Sequence, residues 1–82
     1  MIPHNEWLAK TYGFKNITNP ELYHGATESY IKKRHGWYIE FGIDKLGLKY
    51  LNINNNKPNF IKRYPKWIRR LEAILKEEGF YR

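Results

Sequence analysis

The chain has 82 residues, with 15 Lys and Arg against 8 Asp and Glu, for a net charge of +7, and no cysteine. This length makes one domain, residues 1–82, with a modest core in which nearly every large apolar side chain is needed. Without cysteine, neither a disulfide framework nor a thiolate-held zinc or iron–sulfur site is possible.

In chain order, residues 5–12 are expected to form a two-turn helix. Asn5 suits the N-cap, Glu6 suits the positive helix end, and Trp7, Leu8 and Tyr12 are read as one face. Gly13 should end it in a left-handed cap, with Phe14 folding back on the last turn. Asn19-Pro20-Glu21 restarts a single turn that Gly25 closes. The period then changes to two: Trp37, Ile39, Phe41 and Ile43 alternate with Tyr38, Glu40, Gly42 and Asp44, as in a half-buried strand. Tyr30–His35 is its expected partner on one side, turning at His35-Gly36. Leu48–Ile53 is the partner on the other, turning through Asp44-Lys45-Leu46-Gly47. After a polar connection over 54–64, Pro65 opens the longest helix, residues 65–78. Trp67, Ile68, Leu71, Ile74 and Leu75 form its apolar stripe, and Lys66, Arg69, Arg70, Lys76 and Glu77 form its outer face. Gly79 should cap it, with Phe80 returning onto Leu75. The fold class expected is α+β: a short N-terminal helix, a three-stranded antiparallel sheet, and a C-terminal amphipathic helix packed on one sheet face.

The distribution of charge points to function. Between Asp44 and Glu72 stand eight cations (Lys45, Lys49, Lys57, Lys62, Arg63, Lys66, Arg69 and Arg70) and no acid. A positive field of this kind attracts nucleic acid, an acidic protein surface or an anionic membrane. If Trp37, Ile39 and Phe41 face the helix and Ile31 points inward with them, then Tyr30, Lys32, Arg34 and Tyr38 form an outer row. Such a row offers cations for phosphates and rings for bases or sugars. Lys57, Lys62 and Arg63 in the connection are candidates to clamp a phosphate backbone, and Asn54, Asn55 and Asn56 suit either turns or adenine edges.

Other chemistry is poorly served. His4, His24 and His35 are too scattered for a metal site, which needs three or four converging ligands. Glu40 and Asp44 make a carboxylate pair beside Lys45, with no further acid placed to complete a magnesium site. No phosphate-cradling glycine loop and no nucleophile–histidine arrangement is present, so a non-enzymatic protein without cofactor or small-molecule substrate is expected. MIPHNEWLAK lacks the basic start and apolar run of a signal peptide, and no stretch reaches the roughly 18 apolar residues of a membrane span. A soluble cytoplasmic protein is the expectation. The abundance of Asn, Lys, Ile and Tyr resembles that of proteins from AT-rich genomes, phages and mobile elements among them.

From Ser29 to Gly79, SYIKKRHGWYIEFGIDKLGLKYLNI followed by KWIRRLEAILKEEG resembles the three-strand-plus-helix domain of plant ethylene-response regulators. It is also similar to the arm-binding domain of phage and transposon tyrosine integrases. The resemblance implies a sheet whose exposed face enters the DNA major groove with the helix behind it. It assigns DNA contact to Tyr30, Lys32, Arg34 and Tyr38, and also to Lys49. The chain departs from the pattern in NNNKPNFIKRYP, which replaces a shorter lead into the helix, and in its first 25 residues. A different class of function also fits: a protein-binding inhibitor or modulator of a host or defence enzyme, anchored by exposed aromatic rings.

Overall fold

Seven alternating residues, Trp37–Ile43, form the central long strand of an antiparallel sheet. The computed structural model describes residues 2–18, 27–56 and 63–81. Its elements are α1 (His4–Tyr12), β1 (Lys15–Asn16), β2 (Glu28–Arg34), β3 (Trp37–Ile43), β4 (Lys49–Asn55) and α2 (Lys66–Glu77). The sheet has four strands in the order β1-β2-β3-β4. The sequence reading had three. The added strand is two residues long, too short for a period-two pattern, and pairs Lys15 with Ile31 and Asn16 with Tyr30. The turn expected from Asn19 to Gly25 lies outside the described residues.

One face of β3 is fully apolar. Trp37, Ile39 and Phe41 are buried together with Leu51 and Ile53 of β4. Leu8 and Ala9 of α1 and Ile68, Leu71 and Leu75 of α2 join the same cluster. The α2 stripe follows from its 3.6-residue period. The face of α1 differs from expectation: Ala9, not Trp7, accompanies Leu8 inward. Trp7 is 48% exposed and stacks on His4, with centroids 5.8 Å apart. Asn5 is not the N-cap either. Pro3 holds that position without a side-chain bond, and the Asn5 amide reaches Glu28 Oε1 at 3.5 Å.

The two helices end alike. Gly13 (φ 77°) and Gly79 (φ 94°) take the left-handed conformation that a Cβ would disfavour. The next residue in each case is a Phe that returns a backbone bond into the last turn, Phe14 to Ala9 at 2.7 Å and Phe80 to Leu75 at 2.9 Å. Both rings meet Phe41 edge-on at 4.9 Å. Tyr30 stacks on Phe41 as well, at 5.1 Å. Such aromatic pairs add about 0.5–1.5 kcal/mol each beyond the area they bury. Phe41 is therefore the centre on which both helix ends converge.

Candidate nucleic-acid interface

The β2–β3 connection decides which side chains are available. His35 (φ 53°) and Gly36 (φ 83°) are both left-handed, as a two-residue type I′ hairpin requires. This turn sets Arg34 directly opposite Trp37, Lys32 opposite Ile39 and Tyr30 opposite Phe41. Directly opposed residues share a face. Tyr30, Lys32 and Arg34 therefore stand on the helix-bearing side, not in the outer row expected from the sequence. The reading that turned Ile31 inward was one residue out of register, and a one-residue slip exchanges every side chain between faces.

The consequence differs for each residue. Tyr30 is only 4% exposed, and its hydroxyl donates to Glu28 Oε2 at 2.8 Å. Burial first, and then the Glu28 carboxylate, push its phenol well above the usual value. Lys32 is half-buried and donates from Nζ to the Tyr12 carbonyl at 2.8 Å. Lys49 plays the same part at the other helix, donating to the Glu78 carbonyl at 2.9 Å with Nζ 5.1 Å from the Phe80 ring centroid. Each lysine sets a positive charge at the negative end of a helix. Arg34, at the end of β2, is exposed. Tyr38 is on the outer face as expected, half-buried between Lys33 and Asn54.

The outer face is thus built from Lys15, Ile31 and Lys33, then Tyr38, Glu40 and Gly42, then Tyr50, Asn52 and Asn54. Both described helices pack on the other side. Lys33, Arg34, His35, Tyr38, Glu40 and Asn56 line a groove of about 540 Å³ at the turn end of this face. Its floor is held by a short network in which the Tyr50 hydroxyl donates to Glu40 Oε2. The Tyr50 hydrogen is thereby used, so Ser29 Oγ donates to the Tyr50 oxygen, at 2.8 Å. Burial, and then the bond to Glu40, hold the Tyr50 phenol well above its ordinary value.

The polar connection returns to the same end. The Asn56 amide bonds the Gly36 carbonyl at 3.0 Å, and the Tyr64 ring meets Trp37 edge-on at 5.5 Å. Lys57 and Lys62 lie outside the described residues. Arg63 is exposed and shares a second depression, of about 550 Å³, with Tyr64, Arg69 and Glu72. α2 begins at this end, so Lys66 and Arg69 are brought to it as well.

At the opposite end of the strands, acids stand among lysines, with Lys45 and Lys49 beside Glu28, Asp44 and Glu78. Glu28 faces Ile43 across the sheet, and Asp44 Oδ1 accepts from the Leu46 and Leu48 amides at 2.9 Å. Glu78 Oε1 pairs with His4 at 2.8 Å. Asp44 is thus occupied in forming a turn, away from Glu40. Among the described residues no three His, Asp or Glu side chains converge, and no helix there is long and apolar enough to cross a membrane.

No family model, curated protein or solved structure matches this chain. The site therefore rests on its own geometry. Sequence reasoning missed Lys33 and His35 as groove residues. The signal was present, because a two-residue turn at His35-Gly36 already dictates which face Arg34 shares.

Proposed function

We propose that this is a small, non-enzymatic nucleic-acid-binding protein, with DNA favoured over RNA, that contacts phosphates through the hairpin-turn end of the molecule. The observation that carries this reading is the gathering of exposed cations at the turn end. Lys33, Arg34 and Arg63 stand there with His35, in company with Glu40 and Glu72, whereas at the other end Lys49 is engaged by the Glu78 carbonyl. A positive field of this kind attracts an anionic polymer and raises its association rate. Tyr38 adds a ring beside the cations, the combination used for backbone tracking with base stacking. Lys57 and Lys62 are proposed as further phosphate contacts, and their neighbours Asn56 and Arg63 stand at this end. A phage or mobile-element origin accords with the composition and with the resemblance of residues 29–79.

The test is binding to labelled duplex DNA, single-stranded DNA and RNA across a salt series. Five phosphate contacts, from Lys33, Arg34, Lys57, Lys62 and Arg63, predict a roughly 130- to 500-fold weakening between 50 and 200 mM salt, from slopes of roughly −0.7 to −0.9 per contact. The Lys33→Glu/Arg34→Glu double variant should lose affinity for every sequence. No binding to any of the three at low salt would refute the proposal.

A second reading has its own observation. Leu46, Leu48 and Tyr81 are 75%, 59% and 60% exposed, at or beside the end of the sheet remote from the turn. They suit a protein-binding module of the inhibitor or modulator class, for which an acidic partner surface would match the net charge. A partner held there would be lost with Leu46→Asp and indifferent to the Lys33/Arg34 reversal.

A further inference from the structure

The groove at the turn end is not uniformly cationic, and this determines which form of nucleic acid suits it. Tyr38 and Glu40 are i and i+2 on β3, an interior strand, so both stand near the middle of the outer face. Lys33 flanks Tyr38 on one side and Asn54 on the other. Arg34 and His35 form the rim. A duplex laid on this face would bring phosphates, or the acceptor-rich edges of the major groove, against the Glu40 carboxylate. An unpaired base has no such conflict. It can lie on an aromatic ring and offer its Watson–Crick donors to an acceptor in the floor while its phosphates reach cations at the rim. The volume, about 540 Å³, is in the range of about 300–1,000 Å³ typical of sites for small ligands. Glu40 is also pre-oriented: Tyr50 holds Oε2, and a carboxylate carries lone pairs enough to accept further bonds.

Building on the nucleic-acid reading, we infer that the groove takes a base from a single-stranded nucleic acid, stacked on Tyr38, with Lys33 and Arg34 on its phosphates. Glu40 makes guanine the preferred base. Guanine presents two adjacent donors, N1–H and N2–H, to one carboxylate. Thymine and uracil present a single N–H between two oxygens that the carboxylate repels.

The experiment uses the full chain and fluorescence anisotropy with labelled oligonucleotides of about eight nucleotides, a length within the site sizes of single-strand binders. The probes are a thymine tract, the same tract with one central guanine, their uracil-tract RNA counterparts, and a duplex, all at low salt. Single strands should bind more tightly than the duplex, and one guanine should strengthen binding. Tyr38→Ala should weaken single-strand binding roughly 5- to 160-fold, and Tyr38→Phe should restore it. Glu40→Gln should abolish the guanine preference while leaving the plain thymine tract bound as tightly or more so, an outcome that general damage to the fold would not produce. Circular dichroism of each variant checks folding. The DNA and RNA arms distinguish which sugar is tolerated. Duplex binding equal to or tighter than single-strand binding, an inert Tyr38→Ala, or a guanine preference that is absent or survives Glu40→Gln overturns this inference and leaves the phosphate-binding reading standing. Failure of every probe to bind overturns both.

Discussion

Lys32 and Lys33 are adjacent, identical in type, and placed on opposite faces of β2, so the pair tests the register directly. Replacing either by Met keeps most of the stem and removes only the ammonium. For Lys32, the loss is a charge-assisted bond to the Tyr12 carbonyl at 2.8 Å at a helix C-terminus. A hydrogen bond to a charged group and the helix-end interaction together are worth about 1–2 kcal/mol at a half-buried site. A domain of this size shifts by about 4–8 °C per kcal/mol. Lys32→Met should therefore lower Tm by roughly 4–16 °C, with the salt slope of DNA binding unchanged. For Lys33, exposed and without a described partner contact, Met should change stability by less than about 0.5 kcal/mol. It should instead reduce the salt slope by about 0.7–0.9, one phosphate contact. Thermal melts and salt-dependent anisotropy on the two variants suffice. If Lys33→Met destabilised as much as Lys32→Met, or if Lys32→Met shortened the salt slope at unchanged Tm, the face assignment would be refuted.

Three other perturbations follow from particular contacts. A Cβ on Gly42 would sit 2.0 Å from the Glu28 carbonyl oxygen and 2.9 Å from its carbon, so Gly42→Ala must push β2 from β3 and should cost about 2–3 kcal/mol in urea unfolding. His35 holds a left-handed φ of 53° where Asn is better tolerated, so His35→Asn should raise the unfolding free energy by roughly 0.5 kcal/mol, read as a higher urea midpoint. Tyr30 and Tyr50 both titrate above their ordinary value in the folded protein. The folded state therefore keeps protons that the unfolded chain releases near pH 10. The stability this contributes is complete below about pH 10 and is lost as pH rises from there toward the folded values. Tyr50→Phe should be less stable at pH 8, because Ser29 loses its partner, yet should lose less stability between pH 8 and 11. A steeper alkaline loss in that variant would contradict the network.

What could be read from the chain was local. The span of β3, the His35-Gly36 turn, the glycine stops at 13 and 79 and the stripe on α2 all depend on residues a few positions apart, where backbone sterics and periodicity act. β1 escaped because its two residues become a strand only by lying against Tyr30 and Ile31. The groove was half legible: Tyr38 was expected on its face and Arg34 was singled out with the wrong face, while Lys33 and His35 were passed over.

By itself, the sequence determined a small basic chain of the α+β class without cysteine, and where the His35-Gly36 turn and the glycine helix stops at 13 and 79 fall. Only the tertiary structure decided how the cations are divided. Lys32 and Lys49 lie 20 and 29 residues from the carbonyls they bind, and no local pattern marks such a partner. Lys33, Arg34 and Arg63 remain at the surface of the turn end. In a basic run every lysine has the same chemistry; which face of β2 it occupies determines whether its charge is engaged at a helix end, as for Lys32, or stays exposed, as for Lys33.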